Sequence, residues 1–510
     1  MTRHVLAALA LFAVFCAVTS RTGALVSEDG VSPDHGFEPE YIDRLEEQLT
    51  AGFEAFDRAP GLVVVVVQRG FEPHIVTLGD LTESHLLPIA SITKNFTGLT
   101  AARLHLEGLI DLDADLSDAW PQLVLPQGVD LSGVQVRDLL THSSGLSNPG
   151  MDHRFSFSGL TSSADLRASV EHTQNNTNAP AGSYSYSNFG YNLFAQYLEA
   201  AHQISWVEAV TLTAQMAGAE SFTLSPSSII DDNRPRAYYG AGQDGVLEMD
   251  YQREDYNTTA AGGGFLTARD MGHWLSIWLE PDATPQLTEA IEMASEIQFE
   301  RNSGRAPVLF DGYGLGWFVG SFRGHAYLQH SGGFFGVSSY AAALIDDGFA
   351  VFAMTNEYPL SSALTGFAGR SALDLWLNDE EIELPTPASL EQTAEMGVSY
   401  YVNQADEIYG DFWSLSFDQT AFTGRFHHPS YGDLRIFLED GELYAAIGVL
   451  CTPLLPGENH DTAAGDLIPF NHEAYTFGIS EGRATSLSFR AGVFGRVADI
   501  ANGSETACPR

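Results

Sequence analysis

The run GLVVVVVQRG, residues 61–70, constrains the fold of this chain more than any other segment. Its β-branched residues favour a strand, a glycine stands at each end, and so apolar a strand must be buried. A helix is predicted just before it, over residues 40–56. The apolar positions of that helix follow helical spacing: Ile42, Leu45, Leu49 and Phe53.

Residues 324–355 carry the next strong strand signal, GHAYLQHSGGFFGVSSYAAALIDDGFAVFAMTN. Short glycine-containing turns divide this stretch into three predicted strands, and a helix is predicted after them at about residues 360–377. The segment from residue 37 to residue 377 therefore begins with a helix and a strand and ends with strands and a helix. This order predicts an α+β domain, in which helices flank an antiparallel sheet.

A second domain is predicted beyond residue 377. Residues 378–392 are acidic and contain two prolines, which favours a linker. Residues 393–510 contain short strand-like runs, and EDGEL and SEGRA have the composition of hairpin turns. We expect a smaller, mostly β domain here.

Charge and the N-terminus limit the partners of the chain. Its 510 residues include 66 acidic and 24 basic side chains, for a net charge of -42, which disfavours binding to nucleic acid or to anionic membrane surfaces.

Residues 1–24 combine Arg3 and His4 with a short apolar run and small residues, as a cleavable signal peptide does. We therefore expect a secreted or periplasmic protein without a stable membrane span after cleavage.

Two cysteines remain after removal of the expected signal peptide, Cys451 and Cys508. In an exported protein they are candidates for one disulfide, and two free buried thiols are the alternative. No group of Cys and His has metal-ligand spacing, so the sequence predicts neither a metal nor another cofactor.

Lys94 is the single lysine of the chain, and the other 23 basic residues are arginine. It follows Ser91 by three positions in a predicted amphipathic helix that opens at Ser91 and ends near Gly108, so the two side chains share a face. Serine becomes a nucleophile when a base takes its proton, and apolar surroundings favour the uncharged amine that can do so. Arginine cannot, because its guanidinium stays protonated.

Three other motif matches fail in their context. GISEG at 478–482 fits a nucleophile elbow, but its flanks are strand-like and no histidine follows His472. GAGQDG at 240–245 fits a dinucleotide fingerprint but leads into VLEMD and not into a helix. DLDADLSDAWPQ at 111–122 lacks the glycine and the final glutamate of a calcium loop.

Taken with two later segments, SITKNFT resembles the S-x-x-K-x-x-T box of serine β-lactamases and penicillin-binding proteins. The second element of that family, Tyr-x-Asn, is matched by YSN at 186–188, and the third by HSGG at 330–333. VRDLLTHSSGL at 136–146, AAGGGFLTARDM at 260–271 and YGLGW at 313–317 also resemble the family. The resemblance implies a β-lactamase/transpeptidase-like fold with an all-helical subdomain.

The resemblance also implies roles. Ser91 would be the acylated nucleophile, Lys94 its partner and Tyr186 the proton relay to the leaving group, with the choice of primary base between Lys94 and Tyr186 left open. Asn188 would bind Lys94 and the substrate carbonyl. The remaining substrate-binding and oxyanion candidates come from the third element: His330, Ser331, Gly332 and Gly333, with the N–H groups of Ser91 and Gly333 as the oxyanion hole.

His330 stands where β-lactamases of this family mostly carry lysine. Histidine there resembles the D-amino-acid-specific peptidases and related esterases or amidases more closely. The resemblance therefore implies a serine hydrolase of peptides or amides, of the D-aminopeptidase or DD-carboxypeptidase type, acting on a peptide or small-molecule substrate. The alternatives are a carboxylesterase, a β-lactamase, an acylatable sensor and a non-catalytic binding protein. FTGRFHHPSYGDLRIFLEDGELYAAIG resembles the lipocalin-like barrel appended to some of these hydrolases.

Overall fold

An eight-stranded antiparallel sheet forms the centre of the N-terminal domain. It belongs to a computed structural model that describes residues 35–154, 156, 170–242, 245–249, 260–378, 385–468, 471–490, 492–500 and 508. The signal peptide expected over residues 1–24 lies outside these residues. No helix among the described residues is long and apolar enough to span a membrane.

The elements of the described part are as follows. The helices are α1 Pro39–Phe56, α2 Thr93–Leu106, α3 Leu116–Ala119, α4 Pro149–His153, α5 Asn188–His202, α6 Trp206–Met216, α7 Ala268–Leu279, α8 Thr288–Ser295, α9 Ser362–Leu377 and α10 Pro387–Ile408. The strands up to β15 are β1 Gly61–Gln68, β2 His74–Gly79, β3 Leu87–Pro88, β4 Leu146–Ser147, β5 Gln174–Asn175, β6 Tyr238–Gly242, β7 Gly245–Glu248, β8 Phe265–Leu266, β9 Phe299–Arg305, β10 Val308–Tyr313, β11 Phe318–Phe322, β12 His325–Phe334, β13 Val337–Leu344, β14 Phe349–Thr355 and β15 Glu357–Tyr358. The remaining strands are β16 Gly424–His428, β17 Gly432–Glu439, β18 Glu442–Ile447, β19 Leu450–Pro453, β20 Leu455–Pro456, β21 Thr462–Gly465, β22 Glu473–Ser480, β23 Arg483–Phe489 and β24 Gly492–Ala498.

The eight-stranded sheet has the strand order β2-β1-β14-β13-β12-β11-β10-β9, and its strand β1 shows why the sheet needs helices on both faces. Val63, Val65 and Val67 belong to one hydrophobic core, whereas the alternate residues of the strand belong to a second core. Successive side chains of a strand point to opposite faces, so this valine run is buried from both sides. Helices α1 and α9 cover one face and α7 covers the other. The predicted buried strand, its preceding helix and the flanked antiparallel sheet are confirmed.

Helix α2 differs from its predicted start. A 3-10 turn, Ala90–Ile92, comes first, and the α-helix runs from Thr93 to Leu106. Almost all of this helix is buried, including its polar residues, so its sequence shows little of the one-sided pattern expected at the surface.

Close backbone contact fixes the position of α2. A Cβ atom at Gly98 would lie 2.1 Å from the carbonyl oxygen of Leu315, and one at Gly316 would lie 2.4 Å from that of Lys94. The YGLGW segment and the helix can therefore approach this closely only because both positions are glycine.

The C-terminal part is a nearly closed barrel of nine antiparallel strands, in the order β19-β18-β17-β16-β24-β23-β22-β21-β20. The β17–β18 and β22–β23 hairpins turn at the predicted EDGEL and SEGRA sequences. Cys451 on β19 is joined to Cys508 by a disulfide with a Cα–Cα distance of 5.6 Å. Ser480 of the GISEG match ends a strand of a hairpin, where no nucleophile elbow can form.

Helix α10 lies across the predicted boundary between the linker and the second domain. It begins at Pro387, inside the expected linker 378–392, and it contacts α1 and β6 of the N-terminal domain. Proline is compatible with the first helical turn, which explains why a proline-containing acidic stretch starts a helix here. Leu390 and Ala394 are buried in the core of the N-terminal domain, so residues 387–408 pack on that domain and the barrel strands begin at Gly424.

We expect alanine to have opposite effects on stability at two helical glycines, one at the close contact of α2 and one in α9. Gly98→Ala should lower the melting temperature, because its Cβ atom would collide with backbone that cannot move aside, a change that costs about 1–3 kcal/mol. Gly366→Ala in α9 is the matched control. Its nearest neighbour would be the flexible Arg370 side chain at 3.6 Å, so the variant should gain up to about 1 kcal/mol of helix stability.

Thermal unfolding followed by circular dichroism measures both variants. An unchanged melting temperature for Gly98→Ala would contradict the close contact between α2 and the Leu315–Gly316 backbone.

Candidate active site

Ser91 lies in the 3-10 turn ahead of α2, where the backbone is unusual. Ala90 has a φ of +47°, a left-handed conformation that costs a non-glycine residue free energy. Two side chains hold the turn: Thr93 Oγ1 donates to the Ala90 carbonyl at 2.7 Å, and Ser339 Oγ donates to the Ile89 carbonyl at 2.9 Å. Ser91 is thereby presented on a fixed turn and remains partly exposed.

Lys94 lies in the first turn of α2, and its side chain is 0% exposed. Its Nζ atom is 3.2 Å from Ser91 Oγ, 2.8 Å from Asn188 Oδ1 and 2.7 Å from the carbonyl oxygen of Ala261. These oxygens come from three separate segments: the turn before α2, the start of α5 and the AAGGG segment. Each of the three segments therefore provides one hydrogen-bond partner of the buried Lys94 amine.

The bonding capacity of Lys94 indicates which proton it can take. A neutral amine has two N–H donors and one lone pair, whereas Asn188 Oδ1 and the Ala261 carbonyl can only accept. In its uncharged form Lys94 would direct N–H groups to those acceptors and its lone pair to the Ser91 hydroxyl. This arrangement would allow an uncharged Lys94 to accept the Ser91 proton.

Tyr186 and Asn188 lie at the start of α5, where Ser187 is the N-cap and accepts from the Gly190 N–H at 3.3 Å. His142 holds this segment through two contacts. Its carbonyl accepts from Ser185 N at 2.8 Å, and its ring Nδ1 accepts from Ser187 N at 3.0 Å. The THSSG segment is thus the support that orients the YSN residues towards Lys94.

The Tyr186 ring is 4.8 Å from Lys94 Nζ, and its hydroxyl is hydrogen-bonded to Ser91. The residue as a whole is 42% exposed, but desolvation of its phenol oxygen raises the pKa of Tyr186 well above the ordinary value. The hydrogen bond with Ser91 lowers that pKa less than desolvation raises it. Near neutral pH Tyr186 is therefore a phenol that can donate a proton, and not a phenolate.

His330 is buried on β12. Its Nδ1 lies 2.7 Å from the Ser331 carbonyl, which can only accept, so this nitrogen carries the proton and Nε2 accepts from the Tyr313 hydroxyl at 3.2 Å. Burial, aided by the positive charge of Lys94, lowers the pKa of His330 to about 3. The third element of the site therefore carries no fixed positive charge.

The residues after His330 contact the nucleophile turn to different degrees. Ser331 is exposed and its Oγ accepts from Gln329 Nε2 at 2.6 Å. A Cβ atom at Gly332 would lie 2.7 Å from the Ile89 carbonyl oxygen and 3.0 Å from Ala90 Cβ, so only glycine fits against the turn. A Cβ atom at Gly333 would have Tyr358 Cε2 as its nearest neighbour at 3.9 Å, so this position, unlike Gly332, has space for a side chain. The oxyanion hole formed by the N–H groups of Ser91 and Gly333 stays a prediction.

The sequence alone does not indicate three residues of the site: His142, Ala261 and Tyr313. All three lie in segments that resemble the family as wholes, but none of them has a catalytic side-chain pattern of its own. Ala261 acts through its carbonyl oxygen, which no sequence pattern reports. The Tyr313 hydroxyl on β10 reaches His330 on β12 across the intervening strand β11, a contact that depends on sheet register.

One group among the described residues has the geometry to hold a cation: His105, Asp111 and Asp113, whose ligand atoms all lie within 4.8 Å of one another. Asp111 and Asp113 come from the stretch that imitates a calcium loop. Asp113 already forms an ion pair with Arg137, and the group is far along α2 from Lys94. Nothing connects it with the chemistry of Ser91.

Comparison with known proteins agrees with this geometry. The profile of the Beta-lactamase family matches residues 42–372, well over half of the chain. Beta-lactamase-like protein 4 of Dictyostelium discoideum is 27% identical over 210 residues, which cover 38% of this chain and 36% of that protein. The chain thus matches only about a third of the length of this relative.

Two solved structures share the fold. The octameric penicillin-binding protein homologue from Pyrococcus abyssi is 19% identical, with a TM-score of 0.57 over 89% of this chain and 99% of that one. The D-stereospecific amidohydrolase from Streptomyces sp. is 23% identical, with a TM-score of 0.53 over 64% and 98%. With the family profile and the shared fold, the chain belongs to the β-lactamase family of serine hydrolases.

Proposed function

We propose that this protein is an exported serine hydrolase that forms an acyl-enzyme on Ser91 and acts on peptides or amides. The observation that carries the proposal is the position of the Lys94 amine, held by two acceptors and 3.2 Å from Ser91 Oγ. Serine next to a buried, oriented amine is an arrangement for nucleophilic catalysis.

The proposed mechanism assigns one proton step to each group. Ser91 Oγ attacks the substrate carbonyl while Lys94 takes the hydroxyl proton, and the N–H groups of Ser91 and Gly333 bind the developing oxyanion. Tyr186 is protonated near neutral pH and bonded to Ser91, which supports a role as proton donor to the leaving amine. This favours Lys94 over Tyr186 as the primary base. Water then attacks the ester and gives a proton to the Tyr186 phenolate, while Lys94 returns its proton to the departing Ser91 oxygen; the acid is released and all three groups are regenerated.

The neutral state of His330 narrows the substrate class. β-Lactam and carboxypeptidase substrates present a carboxylate, which a fixed positive charge near the third element would bind. His330 has both ring nitrogens occupied by protein atoms and a pKa of about 3. This supports the aminopeptidase or amidase type over the DD-carboxypeptidase and β-lactamase types, in keeping with the amidohydrolase among the structural neighbours.

Export to an oxidising compartment is part of the proposal. The apolar segment within residues 1–24 and the Cys451–Cys508 disulfide support it, since disulfides persist in secreted and periplasmic proteins.

A labelled fluorophosphonate, followed by peptide mass spectrometry, tests the nucleophile. We expect one adduct, on Ser91, and none in the Ser91→Ala variant. An acyl group donated by a substrate or a penicillin should then be lost by hydrolysis. An acyl-enzyme that persists would favour an acylatable sensor, and an unlabelled Ser91 in folded protein would favour a non-catalytic binding protein.

The same labelling reaction tests the base. Lys94→Arg keeps a positive charge but cannot accept a proton, so the rate of adduct formation should fall by at least about a hundredfold. Arg137→Lys, at a surface ion pair, is the matched control and should label like the wild type. Rapid labelling of a folded Lys94→Arg variant would contradict the assignment of Lys94.

A panel of substrates separates the enzyme alternatives. We expect higher kcat/KM for D-amino-acid amides than for penicillins, because the site lacks a charged anchor at His330. Turnover of p-nitrophenyl esters with no turnover of D- or L-amino-acid amides would identify a carboxylesterase instead.

The pKa of His330 predicts a stability change with pH. In the unfolded chain this histidine binds a proton below about pH 6.5, whereas in the folded chain it does so only near pH 3. Stability should therefore fall as pH is lowered from 6.5 towards 3, at about 1.4 kcal/mol per pH unit for this residue. His330→Gln should remove this contribution.

Urea unfolding at pH 7 and pH 4.5 measures the effect. The difference between the two pH values should be smaller in His330→Gln than in the wild type. His460→Gln changes an exposed histidine and should leave the difference as it is. An equal pH dependence in His330→Gln and wild type would show that His330 is protonated normally in the folded protein.

A further inference from the structure

The AAGGG segment, residues 260–264, is fastened next to the 3-10 turn before α2 at its Gly264 end. The strand that follows it, β8, pairs with β3. The Gly264 carbonyl accepts from Ile89 N at 3.0 Å, and the Gly264 N–H donates to Thr93 Oγ1 at 2.9 Å. Thr93 Oγ1 also donates to the Ala90 carbonyl. One hydroxyl therefore joins this end of the segment to the turn.

The other end of the segment is fastened by Thr97. Its hydroxyl donates to the Ala260 carbonyl at 2.9 Å, and both residues are buried. A hydroxyl has one proton, and in a helix that proton can go to the carbonyl four residues earlier. Thr100 makes that bond with Phe96, whereas the proton of Thr97 goes to a different segment of the chain. Thr97 therefore contributes a contact between α2 and the AAGGG segment.

The bond of Thr97 lies one residue from the carbonyl that Lys94 contacts. Thr97 holds the peptide group that joins Ala260 to Ala261, and the next carbonyl, that of Ala261, is 2.7 Å from Lys94 Nζ. Because peptide groups are planar, only the φ and ψ angles of Ala261 separate the two carbonyls. Lys94 and Thr97 are also three positions apart in α2, on one face of the helix. The position of this Lys94 acceptor therefore depends on the Thr97 hydroxyl.

The Ala261 carbonyl matters because it orients the amine. With Asn188 Oδ1 it would take the two N–H groups of an uncharged Lys94, whose lone pair then faces the Ser91 hydroxyl. If this carbonyl moved away, the amine could turn and donate an N–H to Ser91 Oγ instead. An amine turned in this way cannot take the serine proton, even when it is uncharged.

We infer that Thr97 is a positioning residue of the Ser91 site, which acts through the Ala260–Ala261 peptide to aim the lone pair of Lys94 at the Ser91 hydroxyl. The one proton of the Thr97 hydroxyl goes to Ala260 and not to a reacting group, so its effect is indirect. This inference rests on the proposed function, because it concerns the transfer of the Ser91 proton.

A comparison of Thr97→Val with Thr100→Val tests the inference. Both changes replace a hydroxyl by a methyl group in the same helix, at positions that are 0% exposed. Thr100 bonds Phe96 and Thr213, which both lie outside the AAGGG segment. The rate of fluorophosphonate labelling should fall by about tenfold or more in Thr97→Val, because a misplaced base loses its alignment, and by less than about twofold in Thr100→Val. Equal rates in the two variants overturn the inference.

The pH profile of labelling separates orientation from protonation. If Thr97 acted on the protonation of Lys94, a higher pH would produce the uncharged amine and restore the rate. We expect Thr97→Val to stay about tenfold slower than the wild type from about pH 7 to about pH 10, because the amine is misdirected in either case. Recovery of the wild-type rate at the upper end of this range would overturn the positioning role.

A second pair of variants covers the case in which valine prevents folding. Thr97→Ser keeps the hydroxyl and loses the methyl group, whereas Thr97→Ala loses both. Thr97→Ser should label at close to the wild-type rate and Thr97→Ala should be slow, with circular dichroism to show that both are folded. Equal labelling of the two would overturn the role of the hydroxyl and leave the acyl-enzyme mechanism intact. A wild-type protein that the fluorophosphonate does not label at Ser91 would overturn both.

Discussion

The buried Lys94 amine is the interaction on which the rest of the site depends. An unpaired amine in the interior would cost several kcal/mol, so the surroundings must supply its partners. They do so from Ser91, Asn188 and Ala261, whose segments are distant in the chain. The same contacts that stabilise a buried lysine bring Ser91, the YSN residues and the AAGGG segment together. The hydrogen bonds that stabilise the buried amine are therefore the same ones that place it next to Ser91.

Glycine is what lets these segments come close enough. Gly98 and Gly316 allow α2 to contact the YGLGW backbone, and Gly332 allows β12 to contact the turn at Ala90. A side chain at any of these positions would collide with backbone or with a short buried side chain. The glycines of these motifs therefore mark places of close contact around Ser91, in addition to turns.

The sequence predicts the sheet and the three motif elements well, because each depends on local signals. A β-branched run, short turns and the spacing of Ser91 and Lys94 are visible without tertiary structure. The 3-10 turn at Ser91 is not, because Thr93, Ser339 and a left-handed Ala90 define it together. The roles of His142 and Tyr313 also depend on which segments become neighbours.

The acidic stretch before the barrel shows a second limit of local signals. Its prolines and charges fit a linker, yet Pro387 begins a helix whose Leu390 is buried against the N-terminal domain. Proline ends helices within their interior but fits their first turn, so the residue alone does not distinguish the two cases. Tertiary burial of the apolar face decides between them.

The contact between α4 and the barrel gives the C-terminal domain a physical connection to the active site. A helix of five residues is too short to be stable by itself, because the cost of its first turn is barely offset. Its position must come from packing, and Ser430 and Tyr431 of the barrel supply part of that packing. On the opposite side Asn192 of α5 fixes Asp152 of α4 relative to Asn188 and hence to Lys94. A displacement of the β16–β17 turn would therefore change the environment of Asp152 before it changed the bonds of Lys94 itself.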